Sequence, residues 1–176
     1  MTDPEVGRLT FVGAIGRDPS DEEMAKVIAG YLARLPHEVE TSPGYKVLAG
    51  VPACLERLRD EDVLLGLTTG GLEAAAHAKL ARADLNRYFS FGGYGSDSPD
   101  RAELTRRGIE RAGEILKHPL SREEVFTVGD TPLDITAAHD ASATAVGVAS
   151  GAYSIDQLRD AGADHVLGSL EEPFPT

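Results

Sequence analysis

Three short stretches of the chain carry residue types that can do chemistry. The first is Gly129-Asp130-Thr131-Pro132-Leu133-Asp134. Gly129 permits close backbone approach, Asp130 stands at the tip of an apolar run, and Asp134 lies four residues on, where a helix start can turn it back. Two carboxylates held this closely repel each other unless a cation compensates, and Mg²⁺ is the usual hard cation for oxygen ligands. The competing structural reading makes Asp130 a helix cap and Asp134 a favourable charge at the helix's positive end. The second stretch is Leu67-Thr68-Thr69-Gly70-Gly71, in which a hydroxyl, two glycines and a following helix start can hold an oxyanion through side-chain and backbone donors. An N-capping threonine with a glycine turn would look the same. The third is Gly95-Ser96-Asp97-Ser98-Pro99-Asp100-Arg101, where Arg101, early in a helix, can meet a phosphate or neutralise a carboxylate.

The surrounding pattern supplies elements to position these groups. Apolar runs of strand type cover residues 63–69, 88–91, 125–128, 143–149 and 165–167, separated by helical stretches at 72–83, 101–116 and 155–161. Strands alternating with helices imply right-handed crossovers and a parallel sheet, so the fold class is α/β, Rossmann-like with flanking helices. Ligands of such sheets bind beyond the carboxyl ends of the strands, where all three stretches fall. Before the alternation begins, residues 4–36 carry helical signals, including a Ser20/Glu23 capping-box pattern. Ser154 and Gln157 repeat that pattern, and Gly162 sits where a helix C-terminus is expected.

Composition narrows the function classes. The chain has 29 Asp plus Glu against 17 Lys plus Arg, a formal net charge of −12. Such a surface repels phosphate backbones and argues against nucleic-acid partners. A phosphorylated substrate would also be repelled, unless local cations or a metal ion compensate. No apolar stretch approaches the ~20 residues of a membrane span, and no secretory signal opens the sequence. The single cysteine, Cys54, cannot form an intramolecular disulfide, which points to a reducing cytoplasm; its apolar neighbours make it a core thiol. The spacing of a P-loop is absent, Gly93-Tyr94-Gly95 lacks the third glycine of a dinucleotide fingerprint, and the five histidines show no metal-ligand spacing.

The ordered set Thr69-Gly70, Arg101 and Gly129-Asp130-Thr131-Pro132-Leu133-Asp134 resembles the haloacid dehalogenase (HAD) superfamily, most closely its phosphoglycolate-phosphatase-like branch. The phrases Leu85-Asn86-Arg87-Tyr88-Phe89 and Gly151-Ala152-Tyr153-Ser154 are similar to that branch as well. The resemblance implies that Thr69, with Gly70, binds a phosphoryl group, and that Arg101 steadies nucleophile and phosphate in place of the commoner lysine. It further implies Asp130 as the Mg²⁺ ligand and Asp134 as the supporting acid, with a small phosphorylated metabolite as substrate. It also implies a domain plan: residues 1–45 as the remnant of an N-terminal helical cap, and residues 46–176 as a core lacking its first strand. One departure outweighs the rest. The family opens with a strand ending in Asp-x-Asp, whose first aspartate is the nucleophile, and no such motif is found; Asp60-Glu61-Asp62 has the spacing but precedes a strand. The expectation is an incomplete phosphatase-like hydrolase, inactive alone, with a non-catalytic Mg²⁺- and anion-binding regulatory module as the alternative. In the family's strand order the absent strand would separate the runs ending at Thr69 and Val128, leaving a defective sheet centre. Oligomeric state is not legible.

Overall fold

The computed structural model describes residues 1–175. Two helices, α1 (Asp3–Ile15) and α2 (Asp21–Thr41), precede α3 (Val51–Asp60), and from there strands and helices alternate. The order is β1 (Gly66–Thr69), α4 (Glu73–Ala81), β2 (Phe91–Tyr94), α5 (Arg101–Leu116), β3 (Phe126–Gly129), α6 (Pro132–Asp140), β4 (Thr144–Val148), α7 (Ile155–Asp160) and β5 (His165–Leu167). All strand pairs are parallel, as the alternation requires. The α/β, Rossmann-like class read from the sequence is therefore the class observed.

The sheet is divided. β1 pairs with β2, β3 pairs with β4 and β4 with β5, but no ladder joins β1 to β3. The core is correspondingly concentrated around β4, which is buried on both faces. Ala145, with Ala143, Ile135, Ala138 and Leu158, packs on one side; Val146, Val148 and Leu167 form a second cluster against Phe126, Leu170 and Phe174. A strand covered on both faces reads as a continuous apolar run, which is why β4 was visible in sequence.

The run placed at 88–91 is displaced. The strand is Phe91–Tyr94, while Tyr88 closes a short 3₁₀ turn and points its hydroxyl at Glu56 Oε1 over 3.3 Å. Gly92 and Gly93 look like turn residues in sequence, yet they belong to β2 because α5 crosses them closely. A Cβ on Gly93 would stand 1.7 Å from the Leu104 carbonyl oxygen. Small residues on α5, Gly108 and Ala112, with the buried Leu104, complete this contact.

α1 and α2 form an antiparallel pair that buries no residue completely. The Ser20/Glu23 capping box starts α2, and the helix runs through Pro36 to Thr41, past the end expected from sequence. Pro36 is on the exposed side of this 21-residue helix, where its missing amide removes one helical hydrogen bond. The pair is tied to the core at two points. Arg82 donates to the carbonyls of Val39 and Ser42 at 2.7 and 2.8 Å. At the other end Asp3 N–H donates to Gly70 O at 2.8 Å, and the Asp3 carboxylate accepts from Leu72 N–H at 3.0 Å and Tyr31 hydroxyl at 3.2 Å. Residues 9–12 lie within α1, in keeping with the helical signals over residues 4–36.

Cys54 is buried, and burial raises its thiol pKa, as befits a core residue. Asp164 knits the second half-sheet together: it accepts from Ala145 N–H at 2.8 Å and Arg122 at 2.7 Å, and pairs with His139 Nε2 at 3.0 Å. Partial burial opposes its charge, but these partners outweigh that and hold the carboxyl at about 2. A depressed carboxyl stabilises the fold above its ordinary value and loses that contribution as pH falls through the folded one. Stability should therefore drop between pH ~4 and ~2. Asp164→Ala should cost ~1–3 kcal/mol at pH 7 by leaving Ala145 N–H unpaired, and flatten that acid limb; urea midpoints at pH 7 and 3 read both.

Candidate functional site

At the carboxyl ends of β1 and β3 a cavity of about 270 Å³ opens between the half-sheets, and its lining includes Thr69, Gly70, Arg101, Asp130, Thr131 and Asp134. Residues from three separate stretches thus converge on one mouth. The position of each follows from a local rule.

Asp134 is the N3 residue of α6. Thr131, at the N-cap, accepts from Asp134 N–H, and the Asp134 Oδ2 atom accepts from Thr131 N–H at 3.1 Å and its hydroxyl at 2.7 Å. The capping box is therefore Thr131 with Asp134. The structural alternative in the sequence had given the cap to Asp130; the Thr-x-x-Asp spacing was the signal for the correct assignment. The other Asp134 oxygen is paired with the Arg101 guanidinium. Its carboxylate is thus engaged on both sides, and its side chain is only 15% exposed. Gly129 is needed directly beneath, since a Cβ there would meet Asp134 Cβ at 2.2 Å.

Asp130 differs. It stands at the tip of β3, and none of the side-chain hydrogen bonds or ion pairs found among the described residues involves it. Its carboxylate rests against Gly151, where a Cβ would come within 2.1 Å of Oδ2. The sequence offered Gly151 only as part of a family-like phrase, with no indication that it borders the acid. Counting Arg101 against Asp130 and Asp134 leaves one net negative charge at the mouth, centred on Asp130.

Arg101 opens α5, directly after the Asp100 cap, whose Oδ1 accepts from Glu103 N–H at 2.8 Å. The loop before it is braced from below: Asp97 takes both Arg111 nitrogens at 2.8 Å and Tyr94 N–H at 2.8 Å, and Arg111 pulls its carboxyl pKa down. Arg111 is consequently committed to structure, and Arg101 is the cation that lines the mouth.

Thr69 ends β1, and its hydroxyl accepts from Gly71 N–H at 3.1 Å. The next amide, Leu72, is given to Asp3, which comes from 69 residues away. Two donors of the oxyanion cradle anticipated around Thr69 and Gly70 are thus held internally. Nothing in the sequence signalled Asp3 as their partner, because the contact exists only after α1 docks.

A family model for haloacid dehalogenase-like hydrolases matches residues 5–142. The chain belongs to that family. The HAD match includes α2 and all but the first two residues of α1, together with all three stretches of the mouth. A curated relative, provisionally named pyrophosphatase PpaX, from Caldanaerobacter subterraneus is 27% identical over 125 residues. That alignment takes in 71% of this chain and 56% of the relative, so it reaches little more than half of the relative's length. Among solved structures, a hydrolase from Pseudomonas syringae superposes with a TM-score of 0.63 at 23% identity, over 97% of this chain and 75% of that one. A protein described as a predicted phosphoglycolate phosphatase, from Haemophilus somnus, gives 0.68 at 15% identity, over 96% and 72%. At these identities the superpositions establish the shared HAD fold.

Among the described residues no group of three or more His, Cys, Asp or Glu side chains converges to hold an ion. Mg²⁺, however, is commonly held by one or two carboxylates, with water and substrate oxygens completing the shell. Asp130, free of side-chain partners among the described residues, fits that requirement; Asp134 fits as the acid that fixes Arg101 and the α6 start.

Proposed function

We propose that this chain carries the Mg²⁺- and phosphate-binding half of a phosphatase-like HAD hydrolase for a small phosphomonoester, with no nucleophile among its 176 residues. The observation that carries the reading is the convergence of Thr69, Arg101 and Asp130 on one cavity mouth. Asp130 is the metal ligand, Asp134 the supporting acid, and Thr69, Gly70 and Arg101 contact the phosphoryl group. Bound Mg²⁺ would offset the charge between carboxylate and substrate. Residues 1–45 act as part of a helical cap, and residues 46–176 as a core without its first strand. A cytoplasmic setting fits the single buried thiol, and the net charge of −12 speaks against nucleic acid.

A second reading, a non-catalytic module that binds Mg²⁺ and an anion, is favoured by one observation: the Asp3 carboxylate already takes the Leu72 donor at 3.0 Å. Turnover of a generic aryl phosphate separates the two in any longer form of the protein; residues 1–176 alone should show none above background with Mg²⁺. Titrating Mg²⁺ while following melting temperature or chemical shifts tests the site itself. Asp130→Asn should weaken the response at least ~10-fold, the loss of one carboxylate's charge at a hard cation. An unchanged response removes Asp130 from the site, and robust hydrolysis abolished by one Asp substitution reveals a nucleophile within the chain.

A further inference from the structure

We infer that Gly151 is a positioning residue for Asp130: its missing side chain leaves the carboxylate in its place at the mouth and so sets the strength of the cation site. The inference rests on the reading of Asp130 as metal ligand, and adds a second residue, from a different loop, that governs it.

The approach of Gly151 follows from the way β4 ends. In the β3–β4 register Gly129 stands opposite Gly147, which puts Asp130 level with Val148, the last residue of β4. There the chain turns sharply, as Ser150 N–H donates back to the Val148 carbonyl at 2.8 Å. The turn brings Gly151 against Asp130. Both ends of the loop are fastened. Ala149 N–H donates to the Leu167 carbonyl at 2.9 Å, and Ser154 forms the capping box of α7 with Gln157.

Two usual reasons for glycine do not apply at this position. Its φ is not positive, so the backbone conformation does not call for glycine. Nor would a methyl group strike the backbone of another element. The atoms nearest an ideal Cβ belong to the Asp130 side chain: Oδ2 well inside contact distance, Cγ at 3.1 Å and Cβ at 3.5 Å. The overlap is worst at the tip of the side chain and gone at its root. Gly129 is the contrasting case, because its Cβ would overlap Asp134 Cβ, an atom that no side-chain rotation moves. At Gly151 a rotation of Asp130 relieves the overlap. With the loop fastened at both ends, the carboxylate is the part that moves. A hard cation held by one or two carboxylates depends on where their oxygens stand. The glycine therefore acts on the cation through Asp130, and hardly at all on folding.

The test is Gly151→Ala in the full chain. Mg²⁺ alone, titrated while following melting temperature or chemical shifts, should bind ~10-fold more weakly, the usual cost of disturbing a group that orients a metal ligand. The urea midpoint without metal should match that of the unsubstituted chain, while the carboxyl carbon resonance of Asp130 should move. Added to Asp130→Asn, Gly151→Ala should weaken Mg²⁺ no further, since both act through one group. Ala152→Ser, the next position in the same loop, should leave every reading unchanged. Full additivity with Asp130→Asn, a carboxyl resonance that stays in place, or a fallen urea midpoint with the Mg²⁺ response intact overturns the inference. Weakening by Asp130→Asn without weakening by Gly151→Ala also overturns it and leaves the metal reading standing. Should Asp130→Asn leave the Mg²⁺ response unchanged, the metal reading fails instead, and the carboxyl resonance in Gly151→Ala still decides whether the glycine places that group.

Discussion

Gly93→Ala should lower folding stability by ~3 kcal/mol or more, seen as a fall in the urea midpoint with little change in slope. The added methyl group would sit 1.7 Å from the Leu104 carbonyl oxygen and 2.7 Å from its carbonyl carbon. These are backbone atoms of a helix interior, so no rotamer change relieves the clash; β2 and α5 must separate. Their contact also orients Arg101, because the α5 N-terminus carries it to the mouth. Mg²⁺ and anion responses should therefore weaken together with stability. Gly30→Ala in α2 is the internal comparison. Nothing lies within 4 Å of its Cβ position, so the helix gains propensity without a clash and stability should rise by ~0.5–1 kcal/mol. Equal effects from the two substitutions would mean that close approach at Gly93 is not what limits it.

Asp134→Ala should cost ~2 kcal/mol, the sum of a lost helix cap and of a partner for Arg101. The ion pair is the smaller part, since Arg101 is 42% exposed and water screens it. The larger part comes from Thr131 N–H and hydroxyl, which both address Asp134 Oδ2. Arg101→Ala should consequently cost well under half as much, and Asp134→Asn should fall between, because an amide oxygen still accepts from Thr131. Thermal or urea unfolding of the three variants checks the order. Should Arg101→Ala prove the more damaging, the ion pair and not the cap would be the organising contact of the mouth.

Several elements were legible because their determinants are local. α5 begins and ends where its apolar face and flanking residues place it, and the Ser20/Glu23 and Ser154/Gln157 capping boxes form as their spacing requires. β5 is found at His165–Leu167, and β3 and β4 within one residue of their apolar runs. β2 was not legible in its correct place. Gly92-Gly93 has no strand propensity, and only the arrival of α5 explains why glycine must stand there. Asp134 was visible as an acid, and its Thr-x-x-Asp spacing signalled the cap with Thr131, but its pairing with Arg101, 33 residues away, was not encoded locally.

The sequence by itself determined the α/β alternation, the parallel sense of the sheet, and the family, because these follow from apolar periodicity and from short motifs that need only their own neighbours. It also brought Thr69, Arg101 and Asp130 to strand ends or helix starts on chemical grounds. Tertiary structure alone decided that Asp3 would claim the Leu72 amide and that Gly151 would border Asp130, whereas the separation of β1 from β3 was already implied by the family resemblance. Both contacts are meetings of segments remote in sequence. No local propensity encodes a distance between elements; it is set when α5 packs on β1, β2 and α6, and α6 packs on β3.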